Sequence, residues 1–304
     1  SLSVTTLPNP PSGLTASNIT TAGLQLDWTA SAGGAAGYSL TISGAGSGTG
    51  TFALGSGTTN NVTGLSPNVN YTFSLTATNA SGASSAIQLT RATQPNAPGT
   101  PTVGTIGTTS VALSWTAPSG DALSGYSLST NGGTSFTNIG NPGQPYTVSS
   151  LSPNTAYTFV LKALNTQGLE SAASGSATAT TLPAAPGTLV FSAISTSSIT
   201  LSWAASSPGG ADNYKLQIDG AAAIPVTSPY VASGLSSNTT HSFSLVAFNA
   251  AGGASSPTTG SQITLPIAPA SLAASGQTTG SVTLNWTPPS GSGPLTEYVL
   301  STNG

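Results

Sequence analysis

The chain has 304 residues, with 3 Lys or Arg, 6 Asp or Glu, 1 His, no Cys and no Met. Its net charge of −3 leaves no basic footprint for nucleic acid or anionic lipid, and the lack of Cys excludes disulfides and thiolate metal sites. No apolar run nears the roughly 18 residues of a membrane span, so membrane insertion is not expected.

Only 3% of residues are charged, against about a quarter in an ordinary soluble domain. Gly, Pro, Ser and Thr supply the polar surface instead. Disorder pairs low hydrophobicity with high net charge. Here 37% of residues are hydrophobic, so the chain is expected to fold.

The first predicted element that recurs is an alternating strand ending in Trp: Leu24-Gln-Leu26-Asp-Trp28, Val111 to Trp115, Ile199 to Trp203 and Val282 to Trp286. The Trp residues stand 87, 88 and 83 positions apart, which makes the chain a tandem repeat. Period-two alternation puts one face of each strand in a core, so each Trp is expected to point inward.

A second strand opens on Tyr in every copy, at Tyr38, Tyr126, Tyr214 and Tyr298. The dipeptides Ser43-Gly44, Asn131-Gly132, Asp219-Gly220 and Asn303-Gly304 follow and are predicted to turn each strand into a hairpin. A third signature runs from Leu65-Ser-Pro67 through Tyr71, Phe73, Leu75 and Ala77 to Asn79. It recurs from Leu151 through Tyr157 to Asn165, and from Leu235 through His241 to Asn249. Pro-rich joints separate the copies at Pro8 to Pro11, Pro95 to Pro98, Pro183 to Pro186 and Pro266 to Pro269. Proline restricts itself and its predecessor, so these joints are expected to be short and semi-rigid.

A Trp on the second strand, a Tyr opening the third and Leu-x-Pro-x-x-x-Tyr-x-Phe-x-Leu-x-Ala-x-Asn on the sixth resemble the fibronectin type III domain, over the whole chain. The resemblance implies an all-β chain of tandem seven-stranded antiparallel immunoglobulin-like sandwiches. It also implies a tyrosine corner at Tyr71 and Tyr157, whose hydroxyl bonds nearby backbone. The third copy departs with Ser237 for Pro and His241 for Tyr, so its corner is expected to be weaker or to use an imidazole nitrogen. The expected division is residues 1–6 as the end of a preceding repeat, repeats at 7–94, 95–181 and 182–265, and a partial fourth repeat of three strands at 266–304.

Candidate chemistry is sparse. The carboxylates are Asp27, Asp121, Glu170, Asp212, Asp219 and Glu297. Asp212 and Asp219 flank opposite ends of one strand, about 23 Å apart by strand rise, too far for paired acid–base work. No catalytic residue, metal or cofactor is assigned, and His241 reads as a structural substitute for tyrosine. Six Asn-x-Ser/Thr sequons occur, at Asn18, Asn61, Asn70, Asn79, Asn238 and Asn285, a number that this much Ser and Thr produces by chance. The loops Asn79 to Gly82, Asn165 to Gly168 and Asn249 to Gly252 read as tight turns.

On the outward side of the sixth strand the first copy carries only Thr and Ser, whereas the later copies carry Val160, Leu164, Val246 and Phe248. These form a candidate self-association face, or else record β-propensity. A sparsely charged surface permits such association. The leading expectation is a non-enzymatic extracellular structural array: a stalk, surface filament or fibre that packs with copies of itself. The alternatives are an adhesin or carbohydrate-binding repeat, with a cell-surface or polysaccharide ligand, and spacer modules of a secreted hydrolase. Phe52, Phe136, Phe191, Tyr146, Tyr230 and Phe248 fall outside core periodicity and are the aromatics a sugar site would use.

Overall fold

The computed structural model describes residues 5–290 and 294–302. Its regular elements are all β-strands, arranged as three sandwiches and a two-stranded hairpin. Two compact units form: Ser1–Thr105, Ala112–Val148 and Tyr157–Ala179 make the first, and Ile106–Val111, Ser149–Ala156 and Thr180–Gly304 the second.

The first sandwich contains β1 (Ser12–Ser17), β2 (Gly23–Thr29), β3 (Gly37–Gly44), β4 (Gly50–Leu54), β5 (Thr59–Thr63), β6 (Asn70–Asn79), β7 (Gly82–Ala83) and β8 (Ile87–Ala92). One sheet runs β1-β2-β5; the other runs β4-β3-β6, with β7 and β8 both paired to β6. Because β7 and β8 share one edge of β6, they act as a single interrupted strand. Alternation does what it should. Leu24, Leu26 and Trp28 of β2 face Tyr71, Phe73, Leu75 and Ala77 of β6 in one core, while Gln25, Asp27, Thr72 and Ser74 alternate outward. Trp28 meets Tyr38 edge-on at 5.3 Å between ring centroids, a contact worth about 1 kcal/mol beyond its burial.

The second sandwich is built from β9 (Thr102–Ile106), β10 (Val111–Ser114), β11 (Leu123–Ser129), β12 (Thr137–Gly140), β13 (Tyr146–Val148), β14 (Ala156–Asn165) and β15 (Ala177–Thr180). Its sheets run β13-β10-β9 and β12-β11-β14-β15. The third repeats the plan with β16 (Val190–Ser192), β17 (Ser198–Ser202), β18 (Asn213–Ile218), β19 (Ile224–Val226), β20 (Tyr230–Ser233), β21 (Thr240–Phe248) and β22 (Thr258–Ile263), ordered β16-β17-β20 and β19-β18-β21-β22. Its core gathers Leu189, Ile199, Leu201, Trp203, Leu216, Phe243 and Leu245.

Residues 270–287 form a lone hairpin of β23 (Ala270–Ser275) and β24 (Thr283–Thr287). Here two expectations change. Trp286 is 41% exposed, because no second sheet faces it, and it leans on Tyr298 at 5.4 Å. The segment from Tyr298 to Leu300 pairs with nothing and is not a strand among the described residues. The turn expected at Asn303-Gly304, and residues 1–4 of the expected preceding strand, lie outside the described residues.

The hairpin dipeptides also divide. Asp219 and Gly220 both adopt positive φ, at 50° and 74°, as a tight hairpin turn requires. Ser43-Gly44 is not a turn, because β3 continues through Gly44 in register with Tyr71. The chain reverses just beyond and Ser47 lies over the Tyr71 hydroxyl.

Candidate functional site

Among the described residues no cluster of titratable groups converges, and the chemistry that recurs lies where one repeat meets the next. Each copy places a Thr after its last strand, at Thr93, Thr181 and Thr264, all but fully buried. In each, the Thr hydroxyl donates to a corner carbonyl of its own repeat, to Ser66 at 2.7 Å, Ser152 at 2.7 Å and Ser236 at 2.6 Å. The same oxygen accepts a corner amide, from Val69, Thr155 and Thr239 respectively. One side chain therefore pins the corner while its carbonyl stays free to face the following repeat.

That carbonyl is taken by an Asn at the end of the next repeat's sixth strand. Asn165 Nδ2 donates to Thr93 O at 3.2 Å within the first unit, and Asn249 Nδ2 donates to Thr181 O at 3.1 Å within the second. Asn79 does the same to Thr6 O at 2.7 Å. Their Oδ1 atoms meanwhile close their own loops, accepting from Ser81 N, from Gln167 N and Leu169 N, and from Gly253 N. Asn suits the position because it offers donor and acceptor on one short arm. Asp would put a carboxylate against a carbonyl.

A second Asn, at the corner itself, completes the clasp. Asn68, Asn154 and Asn238 have positive φ of 51°, 46° and 46°, a conformation Asn tolerates better than most residues. Each sends Nδ2 onward, to Asp121 O, to Gly209 O at 3.3 Å and to Pro294 O at 2.8 Å. The receiving loops come close. A Cβ on Gly120 would stand 2.7 Å from Pro67 O, and one on Gly209 2.3 Å from Pro153 O.

The first joint adds contacts. Asp121 Oδ2 accepts from Asn70 N at 2.8 Å, Gln167 Nε2 donates to Asn70 Oδ1 at 2.8 Å, and Gln167 Oε1 accepts from Ala92 N at 2.9 Å. The prolines of the joints restrict the backbone, while these amides supply the attachment. The clasp residues were legible as a series, since Asn68, Asn154 and Asn238 share their spacing of 86 and 84 with Asn79, Asn165 and Asn249. Nothing in the sequence alone says that two repeats meet there.

The residues singled out from sequence are placed as follows. Trp28, Trp115 and Trp203 are buried in their cores, as is Tyr71; Tyr157 is half-buried and stacks on Phe159 at 6.2 Å. The Tyr71 hydroxyl accepts from Ser66 N and donates to Ser47 O, both at 2.8 Å. His241 is buried at the same place in the third sandwich, with Nε2 3.0 Å from Ser236 O and Nδ1 2.6 Å from Asp219 Oδ2.

The outward face of the sixth strand differs from its expected exposure. Val160 is only 5% exposed. After β11 the chain stays alongside β14, with Gly132 N bonded to Thr158 O, and on the outward side of β14 Lys162 Nζ lies 4.5 Å from the centre of the Phe136 ring. Leu164 and Val246 are half-buried, and Lys215 Nζ lies 4.8 Å over the Phe248 ring. Much of this apolar surface is thus covered within its own sandwich.

The aromatics outside core periodicity are mostly engaged too. Tyr146 packs on Trp115 and Phe191 on Phe243. Tyr230 lines an open groove of about 640 Å³ with Trp203, Asp212 and Tyr214, and Phe52 stays 44% exposed. Asp212 and Asp219 turn to backbone amides at opposite ends of β18, those of Ala250 and Ser242.

The family model described as "Fibronectin type III domain" matches residues 9–90, 96–180 and 184–262. Among curated proteins, Endoglucanase B of Cellulomonas fimi is 34% identical over 178 residues, covering 52% of this chain and 17% of its own length. Chitinase A1 of Niallia circulans is 37% identical over 158 residues, covering 48% of this chain and 22% of its own. The chain thus spans less than a quarter of either relative. Among solved structures, a two-domain fibronectin type III segment of chicken tenascin is 22% identical, with a TM-score of 0.39, and covers 57% of this chain and 100% of that one. The FN1-FN3 domains of chicken CNTN1 are 21% identical, with a TM-score of 0.28, and cover 86% and 100%.

Proposed function

Since the chain belongs to the fibronectin type III family, whose domains are non-catalytic modules, we propose that it is an extracellular spacer, whose clasped first joint holds the first two sandwiches in a fixed register. The observation that carries this reading is the Thr–Asn clasp, built from the same residue types at Thr93–Asn165 and Thr181–Asn249. A passive tether would use Gly- and Ser-rich linkers that behave as flexible coils. Here each joint instead buries hydrogen-bonded amides, whose loss would strand buried polar groups.

The relatives named endoglucanase and chitinase favour a spacer within a secreted polysaccharide hydrolase over a self-packing filament. The burial of Val160 and the Lys215 side chain lying over the Phe248 ring point the same way. The chain has no Cys, so paired spin labels can be placed uniquely by Ser56→Cys and Thr137→Cys, one in each of the first two sandwiches. A single narrow distance distribution in the full chain is the expected result. A broad one, as from a freely swivelling linker, would overturn the fixed register.

A further inference from the structure

In the first sandwich a neutral hydroxyl serves the corner, since Tyr71 both accepts from Ser66 N and donates to Ser47 O. The third sandwich replaces it with a ring whose two nitrogens both face acceptors: Ser236 O at 3.0 Å and Asp219 Oδ2 at 2.6 Å. A neutral imidazole carries one N–H and one lone pair. Either tautomer would aim a lone pair at an oxygen, whereas the imidazolium donates at both ends. The ring is walled off, with the His241 side chain 6% exposed and that of Asp219 45%.

The site is linked to the joint. Ser236 O, which receives His241, also receives the Thr264 hydroxyl. Thr264 in turn bonds Thr239 through its hydroxyl and its amide, and between them sits Asn238, the residue that reaches Pro294 O. On its other side Asp219 holds the β18–β19 turn against β21 through Ser242 N at 2.7 Å. We propose that His241 and Asp219 form a proton-operated latch: the imidazolium ties the β18–β19 turn to the corner and so fixes the joint that Asn238 makes, and loss of its proton loosens that joint while the Tyr71 corner stays closed.

Among the described residues Asp219 is the only charged partner bonded to the ring. On β18 Lys215 lies toward the far end of β21, over Phe248, and Asp212 is held at Ala250 N. β22, which sets Gln262 opposite His241, contributes no ionisable residue, and neither do Ser236 to Thr239 of the corner. Burial opposes the charged ring, but the hydrogen bonds to Asp219 and Ser236 outweigh it and raise the His241 pKa above its ordinary 6.5. Burial likewise opposes the Asp219 carboxylate, and the bonds from His241 and Ser242 outweigh it and lower its pKa from 3.8. The sign follows by linkage. The contribution of His241 is complete below pH 6.5 and is lost as pH rises through its raised pKa. That of Asp219 is complete above pH 3.8 and is lost as pH falls through its lowered pKa. The latch therefore closes between the two.

The inference rests on the clasp as a joint and not on what the array connects, so it can fail while the spacer reading stands. His241 is the sole histidine in the chain, and its ring signals in NMR of this 304-residue chain need no further assignment. The expected result is a ring protonated on both nitrogens at pH 6, with a titration midpoint above 6.5. Amide-exchange protection factors of Asn238, Thr239 and Thr264 should fall through that midpoint, while those of Asn68 and Thr93 hold. His241→Tyr, which supplies the residue found at the first corner, should abolish the pH dependence of the third. A neutral single tautomer at pH 6, or protection at Asn238 and Thr264 unchanged across the titration, would overturn the latch, and both are read on the native chain even if the variant does not fold.

Discussion

The two joints share a clasp and differ in how much surrounds it. At the first, Asn165 and Asn68 are joined by Gln167 and Asp121, which add three more hydrogen bonds from loop to neighbouring repeat. At the second, the positions equivalent to Gln167 and Asp121 are Ala251 and Gly210, and Asn249 and Asn154 work without them. The clasp is thus the minimum that both joints carry, and the long polar side chains are an addition local to one of them.

The largest expected effect comes from closing the gap in which the sparser joint sits. Gly209→Val puts a β-branched residue at a φ of +88° with its Cβ 2.3 Å from Pro153 O, which is backbone and cannot swing aside. Strain of this kind costs on the order of 3 kcal/mol. It should open the second joint with both sandwiches still folded, seen as solvent exposure of the Asn154 and Asn249 side-chain amides while the backbone amide of Thr181, bonded to Thr155 O within its own corner, keeps its protection. Next in size is Asn165→Ala, which strips the donor from Thr93 O and leaves the Gln167 and Leu169 amides without their acceptor. A loss of about 2 kcal/mol is expected, read by denaturant unfolding. The smallest is Gln167→Ala, which makes the first joint resemble the second. It should cost about 1 kcal/mol and leave the label distance across the joint in place but broader. If instead Gln167→Ala released the joint as fully as Asn165→Ala, the clasp would not be the common minimum.

The corners offer the same contrast in another form. Tyr71 and His241 fill one position in two sandwiches, yet only the histidine recruits a carboxylate from a neighbouring turn. The departure itself was legible, because the tyrosine pattern around it is so regular. Its partner was not, because Asp219 lies 22 residues upstream in what reads as an ordinary Asp-Gly turn.

The sequence by itself determined the sandwich: alternation buried Leu26, Leu40, Phe73 and Leu75 on one side of each strand, and the Trp spacing counted the copies. These are local patterns, and a period of two is readable wherever one face must leave water. Only the tertiary structure decided which polar residues meet. Asn68 and Asp121, like Thr93 and Asn165, stand far apart in the chain and carry no pattern that pairs them. The same holds for Val160, which alternation marks as outward and which is only 5% exposed in the folded chain. Two acceptors around one imidazole ring, likewise, are a fact of position in space rather than of order along the chain.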